Sequence, residues 1–294
     1  MENTSDPTSD PVTSVPLVTV TGCSSGFGRA TTLHMLRQGW RVVATVRRDE
    51  DAASLQTEAG AAPRLTIVRC DITRAEDVAT LGATVKTMAE AGKAPHGLDA
   101  LVNNAGTAFP APVELLAPDD LRQQLDINVV GHVAVTQTLL PLLKRAKGVV
   151  INVSSVGGKV ATPVLGAYNA SKFALEALSD SLRVEVAPFG VRVVVIEPGG
   201  SPTAIWETSL QRARDLLTSA GEYAPLLDAM QRHTGAVQDG FPPEQFAQLV
   251  ERIVRSPRPK PRYALPAGAR RFLFLRRFIS DRLFDRLIRR NLKW

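Results

Sequence analysis

Short runs of valine, isoleucine and leucine recur along this chain at 17–21, 41–46, 65–69, 100–103, 149–153 and 191–196, and a last strand is expected at 262–265, after the proline-rich break at 257–261. None alternates cleanly between apolar and polar residues, which is the pattern of strands covered on both faces. Helix-forming stretches lie between them. Alternating β and α predicts a doubly wound parallel sheet with right-handed crossovers. A chain of 294 residues can bury one such α/β core, so a single domain is expected over 15–267. Residues 1–14 are polar, with proline and threonine, and are expected to be disordered.

In an open parallel sheet, ligands bind beyond the carboxyl ends of the strands. The chemistry-bearing residues cluster at those ends. The first strand runs into Thr21-Gly22-Cys23-Ser24-Ser25-Gly26-Phe27-Gly28, and a helix-forming stretch follows over 30–38. Glycines let a backbone approach a pyrophosphate, and a helix N-terminus offers free N–H groups and a positive dipole end. The spacing is G-x-x-x-G-x-G rather than G-x-G-x-x-G. Asn103 ends the fourth strand, Ser155 follows the fifth and Pro198 the sixth. Tyr168 and Lys172 stand at i and i+4, one helical turn apart on one face. An ammonium beside a phenol is expected to lower the tyrosine pKa from about 10. Tyr168 can then exchange a proton with an alcohol or carbonyl oxygen near neutral pH, while Ser155 holds that oxygen.

With these motifs in this order, the chain resembles a short-chain dehydrogenase/reductase. The resemblance rests on Thr21-Gly22-x-x-x-Gly26-x-Gly28, Asn103-Asn104-Ala105-Gly106, Asn128, the Ser155, Tyr168 and Lys172 set, and Pro198-Gly199 with Thr203. It implies a Rossmann fold and a nicotinamide cofactor. Thr21, Gly22, Ser24, Ser25, Gly26, Phe27 and Gly28 would hold the pyrophosphate end, and Asp71 with Ile72 would flank the adenine. Asn104, Ala105, Gly106, Tyr168, Lys172, Pro198, Gly199 and Thr203 would hold the rest. Asn128, Ser155, Tyr168 and Lys172 are the family's catalytic positions, with Lys172 on the nicotinamide ribose and Asn128 ordering a water. The glycine loop and the strand end Val-Ala-Thr-Val-Arg-Arg are similar to the 17β-hydroxysteroid and retinol dehydrogenase-like branch.

Cofactor choice follows from charge. NAD sites place an acidic residue at the end of the second strand, and NADP sites use arginine for the 2′-phosphate. Here that position is Val46, and Arg47 and Arg48 follow. Guanidinium grips phosphate bidentately, so NADP(H) is expected over NAD(H). The expected activity is interconversion of a carbonyl and an alcohol on a small molecule. A ketoreductase of fatty-acid or polyketide type and a non-catalytic NADP-sensing protein are the alternatives. An epimerase or dehydratase of nucleotide sugars fits less well, because its glycine spacing usually differs.

The remaining features bound partners and place. His34, His96, His132 and His233 are scattered, and no metal is expected. Cys23 and Cys70 suggest no disulfide framework, and no apolar run is long enough to span a bilayer, so a cytoplasmic location is expected. Residues 203–240, with Ile205, Trp206, Leu210, Leu216, Leu217, Leu226 and Met230, read as a helical insertion; the family resemblance implies that it forms a lid over the substrate, and its apolar residues favour a lipophilic one. Residues 268–294 carry eight arginines and one lysine against two aspartates, a net +7 within a chain of +6, so the body is near −1. That placement argues against nucleic acid binding. It leaves two readings for this basic tail, packing on the body or lying on an anionic membrane. On its second helix Leu283, Phe284, Leu287 and Ile288 share a face, with Ser280-Asp281 as the cap. A homo-oligomer, dimer or tetramer, is expected.

Overall fold

A computed structural model describes residues 15–91, 97–217, 220–235 and 240–294. The expectation of disorder over 1–14 and the position of His96 lie outside the described residues.

The seven strands are β1 (Leu17–Val20), β2 (Arg41–Val46), β3 (Leu65–Arg69), β4 (Ala100–Asn103), β5 (Val149–Val153), β6 (Arg192–Pro198) and β7 (Arg262–Leu265). They form one parallel sheet in the order β3-β2-β1-β4-β5-β6-β7. Five strands match the expected limits. β1 ends at Val20, although the Thr21 N–H still donates to the Val102 carbonyl at 3.0 Å. β6 runs on to Pro198, because a proline at a strand's last residue removes no ladder bond that the strand needs; Gly199 N–H then donates to Leu265.

The helices are α1 (Gly26–Arg37), α2 (Asp49–Ala59), α3 (Ala75–Glu90), α4 (Pro118–Leu125), α5 (Gly131–Ala146) and α6 (Gly166–Glu185), then α7 (Ala204–Leu217), α8 (Ala224–Gly235), α9 (Pro243–Arg255), α10 (Ala267–Arg276) and α11 (Asp281–Leu292). Val18, Val42, Val102 and Ile151 face Met35 of α1, Leu55 of α2 and Phe246 of α9. Their neighbours Leu17, Val43, Leu101 and Val150 face Leu81 of α3 and Leu139 of α5. Both sides of β1, β2, β4 and β5 are therefore buried, which is why these segments show no polar alternation, whereas the edge strands β3 and β7 are only partly covered.

A third, smaller cluster joins Leu226 and Leu227 of α8 to Ile288 and Leu292 of α11, with Val164. Ser280 caps α11 through its hydroxyl, as expected. Arg276 ties the two last helices together, pairing with Asp281 at 2.6 Å and lying over the Phe284 ring. The expected apolar face of α11 is only half covered. Phe284 is buried and Ile288 partly so, whereas Leu283 and Leu287 are exposed. α11 packs on one helix rather than on a sheet, so only the 284, 288 and 292 stripe finds a partner.

Candidate active site

Strand order reverses between β1 and β4, and the crevice beyond their carboxyl ends is the expected binding place. A cavity of about 520 Å³ opens there. It is bounded by the loops after β1, β4, β5 and β6.

The first wall is the turn from β1 into α1. Gly22 has φ +70°, a left-handed backbone that a side chain would strain. A Cβ on Gly28 would meet the Gly22 carbonyl oxygen at 2.2 Å, so only glycine lets the helix start this close to the turn. Phe27 stacks between Phe241 and Phe246, with ring centroids at 5.5 and 4.3 Å, which fixes the helix end against α9. Ser25, the cap residue of α1, makes no side-chain cap bond, and the first turn holds no acidic residue. That leaves N–H donors and a positive dipole end facing the crevice, a cradle for an anion. Gly22, Ser24, Ser25, Gly26 and Phe27 line the cavity, while Thr21 and Gly28 lie behind it. Thr21 acts as a brace: its hydroxyl oxygen accepts from the N–H groups of Asn104 and Ala105, both at 3.0 Å.

At the far end, Thr45, Val46, Arg47, Arg48, Asp71 and Ile72 line the same cavity. The last position of β2 is the buried Val46, with no carboxylate there. Asp51 of α2 also reaches the wall and is held by Arg48 through two bonds of 2.9 Å. The Arg48 contacts keep the Asp51 carboxyl below its usual range, although partial burial opposes this. Arg47 forms no ion pair among the described residues. The sequence reading missed Asp51, since nothing local marks it; only the i, i+3 spacing from Arg48 hinted at the pair.

The central wall carries Asn104, Ala105, Gly106, Ser154, Ser155, Tyr168, Lys172, Pro198, Gly199 and Thr203. Ser155 accepts from Gly157 N–H at 2.9 Å and reaches the Pro198 carbonyl at 3.5 Å. Its neighbour Ser154 has a buried hydroxyl with no hydrogen-bond partner. Lys172 donates from Nζ to the Val153 carbonyl at 2.8 Å and lies 5.8 Å from the Tyr168 ring centroid. The expected lowering of the Tyr168 pKa is corrected here. Burial raises it, and the hydrogen bond with Ser155 offsets only part of that. The lysine is instead the perturbed group: burial brings it down to about 8, with Glu176, one turn on, opposing. A buried phenol close to a buried ammonium stays protonated at neutral pH, so Tyr168 is poised as a proton donor.

Asn128 sits in a π-turn (Asp126–Val130) behind the cavity. Its amide donates to the Thr107 carbonyl at 3.1 Å and to Ser171 at 3.0 Å, and its oxygen accepts from Thr107 N–H at 3.0 Å. It clamps the loop after β4 to α6. Two further buried side chains do similar work: Gln124, which no sequence motif marks, and His132, whose scattered position argues only against a metal. Gln124 holds Thr107 and Phe109 by their backbone at 2.8 and 2.9 Å. His132, one turn after Asn128, bonds the Ala105 carbonyl through Nε2 at 2.7 Å. Burial and the Lys172 charge bring its pKa down to about 3, so it is neutral.

The remaining side of the cavity is bounded by Thr107, Phe109, Gln123, Ile127 and, from α7, Ile205 and Arg212. Arg212 stacks on Phe109 at 3.8 Å and bonds the Ala108 carbonyl. The side chains of Trp206 and Leu210, expected in the lid, and of His233, lie outside the described residues. Among the described residues no cluster of His, Cys, Asp and Glu could hold a metal ion. Cys23 and Cys70 are buried and unbridged, and burial pushes both thiols up to about 12.

Comparison with known proteins identifies the family. A family model described as short chain dehydrogenase matches residues 16–214. The uncharacterized oxidoreductase YusZ of Bacillus subtilis is 32% identical over 282 residues, covering 93% of this chain and 97% of YusZ. Retinol dehydrogenase 5 of Mus musculus is 41% identical over 217 residues, which are 74% of this chain and 65% of that protein. A crystal structure of a short-chain dehydrogenase from Streptomyces avermitilis superposes with a TM-score of 0.73 at 28% identity, over 90% of this chain and 93% of that one. A short-chain dehydrogenase/reductase from Burkholderia phymatum in complex with NAD shares the fold, with a TM-score of 0.74 at 22% identity over 90% of this chain and 93% of that one.

Proposed function

The chain belongs to the short-chain dehydrogenase family, and from that premise we propose that it is an NADP(H)-dependent oxidoreductase that interconverts a lipophilic ketone or aldehyde and its alcohol. One observation carries this reading: Ser155, Tyr168 and Lys172 line the same cavity as the open N-terminus of α1 and Arg47.

NADP(H) fits the residues present. The pyrophosphate belongs on the N–H groups of the 22–28 loop. The 2′-phosphate belongs on Arg47, which has no ion pair among the described residues; β2 ends on Val46 rather than on a carboxylate, and the nearby Asp51 is bonded by Arg48. Arg48 is committed to Asp51 and contributes less. Asp71 and Ile72 would flank the adenine, and Lys172 would hold the nicotinamide ribose. Bound there, the cofactor supplies or accepts the hydride. The protein does the rest. Ser155 and Tyr168 donate hydrogen bonds to the carbonyl oxygen and stabilise the alkoxide charge that develops on it. Tyr168 then gives up its proton to that oxygen. Lys172, protonated below about 8, favours the phenolate left behind. Asn128 orders a water that relays the proton to solvent.

The lipophilic substrate class is supported by Phe109, Ile127 and Ile205 on the cavity wall, the last from α7, which would be part of the expected lid. A homo-oligomer is supported by the exposed apolar side chains Phe173, Leu178 and Val184 of α6. Cytoplasmic residence with peripheral membrane contact through 268–294 completes the reading, supported by unbridged cysteines and the charge of that segment. No described helix is long and apolar enough to cross a membrane.

A panel of ketones, aldehydes and their alcohols with NADPH or NADH, followed by reduced-nicotinamide absorbance, tests the proposal. Turnover with NADPH favoured supports it. Equal efficiency with both cofactors refutes the NADP assignment, and no turnover of any carbonyl or alcohol refutes the activity.

A further inference from the structure

Half of the exposed large apolar side chains among the described residues fall within 267–294, on or beside the last two helices: Phe272, Phe274, Leu275, Phe278, Leu283, Leu287 and Trp294. Phe278 is 74% exposed and Phe274 and Leu275 are each 58% exposed. They are not scattered. On α10 and its end, Phe274, Leu275 and Phe278 stand at i, i+1 and i+4, and the Phe274 and Phe278 rings meet edge to face at 5.3 Å. On α11, Leu283 and Leu287 are one turn apart, beside the buried stripe of Phe284, Ile288 and Leu292.

The same segment holds an uncompensated charge. Arg270, Arg271, Arg277, Arg282, Arg286, Arg289, Arg290 and Lys293 are all exposed. None forms an ion pair among the described residues; Arg276 alone is paired, to Asp281. The segment carries +7 and the rest of the chain −1. A second copy of this chain docking tail to tail would bring two such fields together, and the rest of the chain, at a net −1, offers little net opposing field. An extended anionic surface with an apolar layer beneath it satisfies both the arginines and the aromatic side chains.

We propose that α10 and α11 form a basic amphipathic hairpin that seats the protein on an anionic lipid bilayer. Phe274, Leu275, Phe278, Leu283 and Leu287 enter the interfacial layer, and the exposed arginines hold the headgroups. This deepens the membrane contact in the functional reading and names the surface that makes it. The hairpin also touches the site indirectly. The buried stripe of α11 packs on α8, and α10 follows β7, whose Leu265 carbonyl bonds Gly199 at the cavity wall. Seating the hairpin therefore holds the lid side of the cavity at the bilayer, where a lipophilic carbonyl partitions.

The test uses the full chain with vesicles of phosphatidylcholine, with and without phosphatidylglycerol, at about 0.1 M and about 1 M salt, where the Debye length falls from about 10 to about 3 Å. The expected result is co-sedimentation with the phosphatidylglycerol vesicles at low salt, weakened at least about tenfold at high salt or without the anionic lipid. A Leu275→Ser, Phe278→Ser variant should lose at least about tenfold in vesicle binding while keeping its thermal midpoint and NADPH binding. No co-sedimentation of the folded protein with anionic vesicles at low salt overturns the proposal. So does a double variant that binds vesicles as the parent does but has lost its oligomeric state, which would make the hairpin a contact between copies. Vesicle binding is read without substrate, so its failure leaves the NADPH-dependent activity standing or falling by its own assay.

Discussion

The sheet and the two last helices solve the problem of apolar side chains in opposite ways. In β1, β2, β4 and β5 nearly every side chain is buried between two helical layers, and the loops that leave these strands are pinned by buried polar bonds. Thr21 braces Asn104 and Ala105, Asn128 clamps Thr107, and His132 holds Ala105. In α10 and α11 one narrow stripe is covered by α8 and the rest faces outward. Chemistry that needs placement within tenths of an ångström sits on the first region. The second presents a surface and carries charge. The contrast teaches that one chain can pin its loops on a doubly covered sheet and still leave a charged, half-covered surface at its last two helices.

The sharpest way to break this division is at Tyr168. Tyr168→Phe removes the proton donor, and turnover should fall by about 10² to 10⁴ with NADPH affinity and thermal midpoint retained. Ser155→Ala should lose about 10² to 10³, the cost of one donor to the developing alkoxide, whereas Ser154→Ala should change little, since its hydroxyl has no partner. A crippled Ser154 variant beside an active Ser155 variant would move the oxyanion contact by one residue.

A stability comparison tests the packing side. Leu139→Ala, in the layer between α5 and the sheet, should cost about 4 kcal/mol. Leu292→Ala, in the small cluster under α11, should cost about 2 kcal/mol, since that site can collapse towards solvent. Urea unfolding of both variants reads the difference, and equal costs would erase it.

Cofactor preference sharpens the picture within the sheet. Arg47→Ala should lower NADPH efficiency about ten- to a hundredfold against NADH, as for loss of a charge-assisted pair. Arg48→Ala should have a smaller effect, because its guanidinium is spent on Asp51. The smallest expected effect is in pH. Lys172 is charged below about 8 and neutral above it, and Tyr168 is protonated through that range. Reduction uses the charged lysine and the protonated phenol. Its kcat/KM should therefore be level up to about 8 and fall as pH rises further. A rise through that range would place the critical base elsewhere.

Much of this was legible in the residues. The strands were, because burial on both faces leaves Val, Ile and Leu runs that no surface element shows. The 22–28 loop, Ser155, Tyr168 and Lys172 were, because their spacing relative to strand ends survives without any knowledge of packing. What escaped depends on tertiary burial. The phenol of Tyr168 shifts upward because it is sealed from water, which no i, i+4 rule contains. Asp51, Gln124 and His132 bond backbone or side chains whose approach only the closed fold creates. Leu283 and Leu287 share a helical face with Phe284, yet the partner of that face is one helix wide.

The central claim is hydride transfer at the Tyr168 cavity, and isotope transfer tests it most directly. NADPH carrying deuterium at the transferable position of the nicotinamide ring is incubated with the protein and a panel of lipophilic ketones and aldehydes. The account predicts deuterium on the carbinol carbon of the product, and none when Tyr168→Phe replaces the parent. NADPH bound with an affinity that Arg47→Ala weakens, but no deuterium transferred to any carbonyl, would contradict it and leave a protein that binds the cofactor without using it.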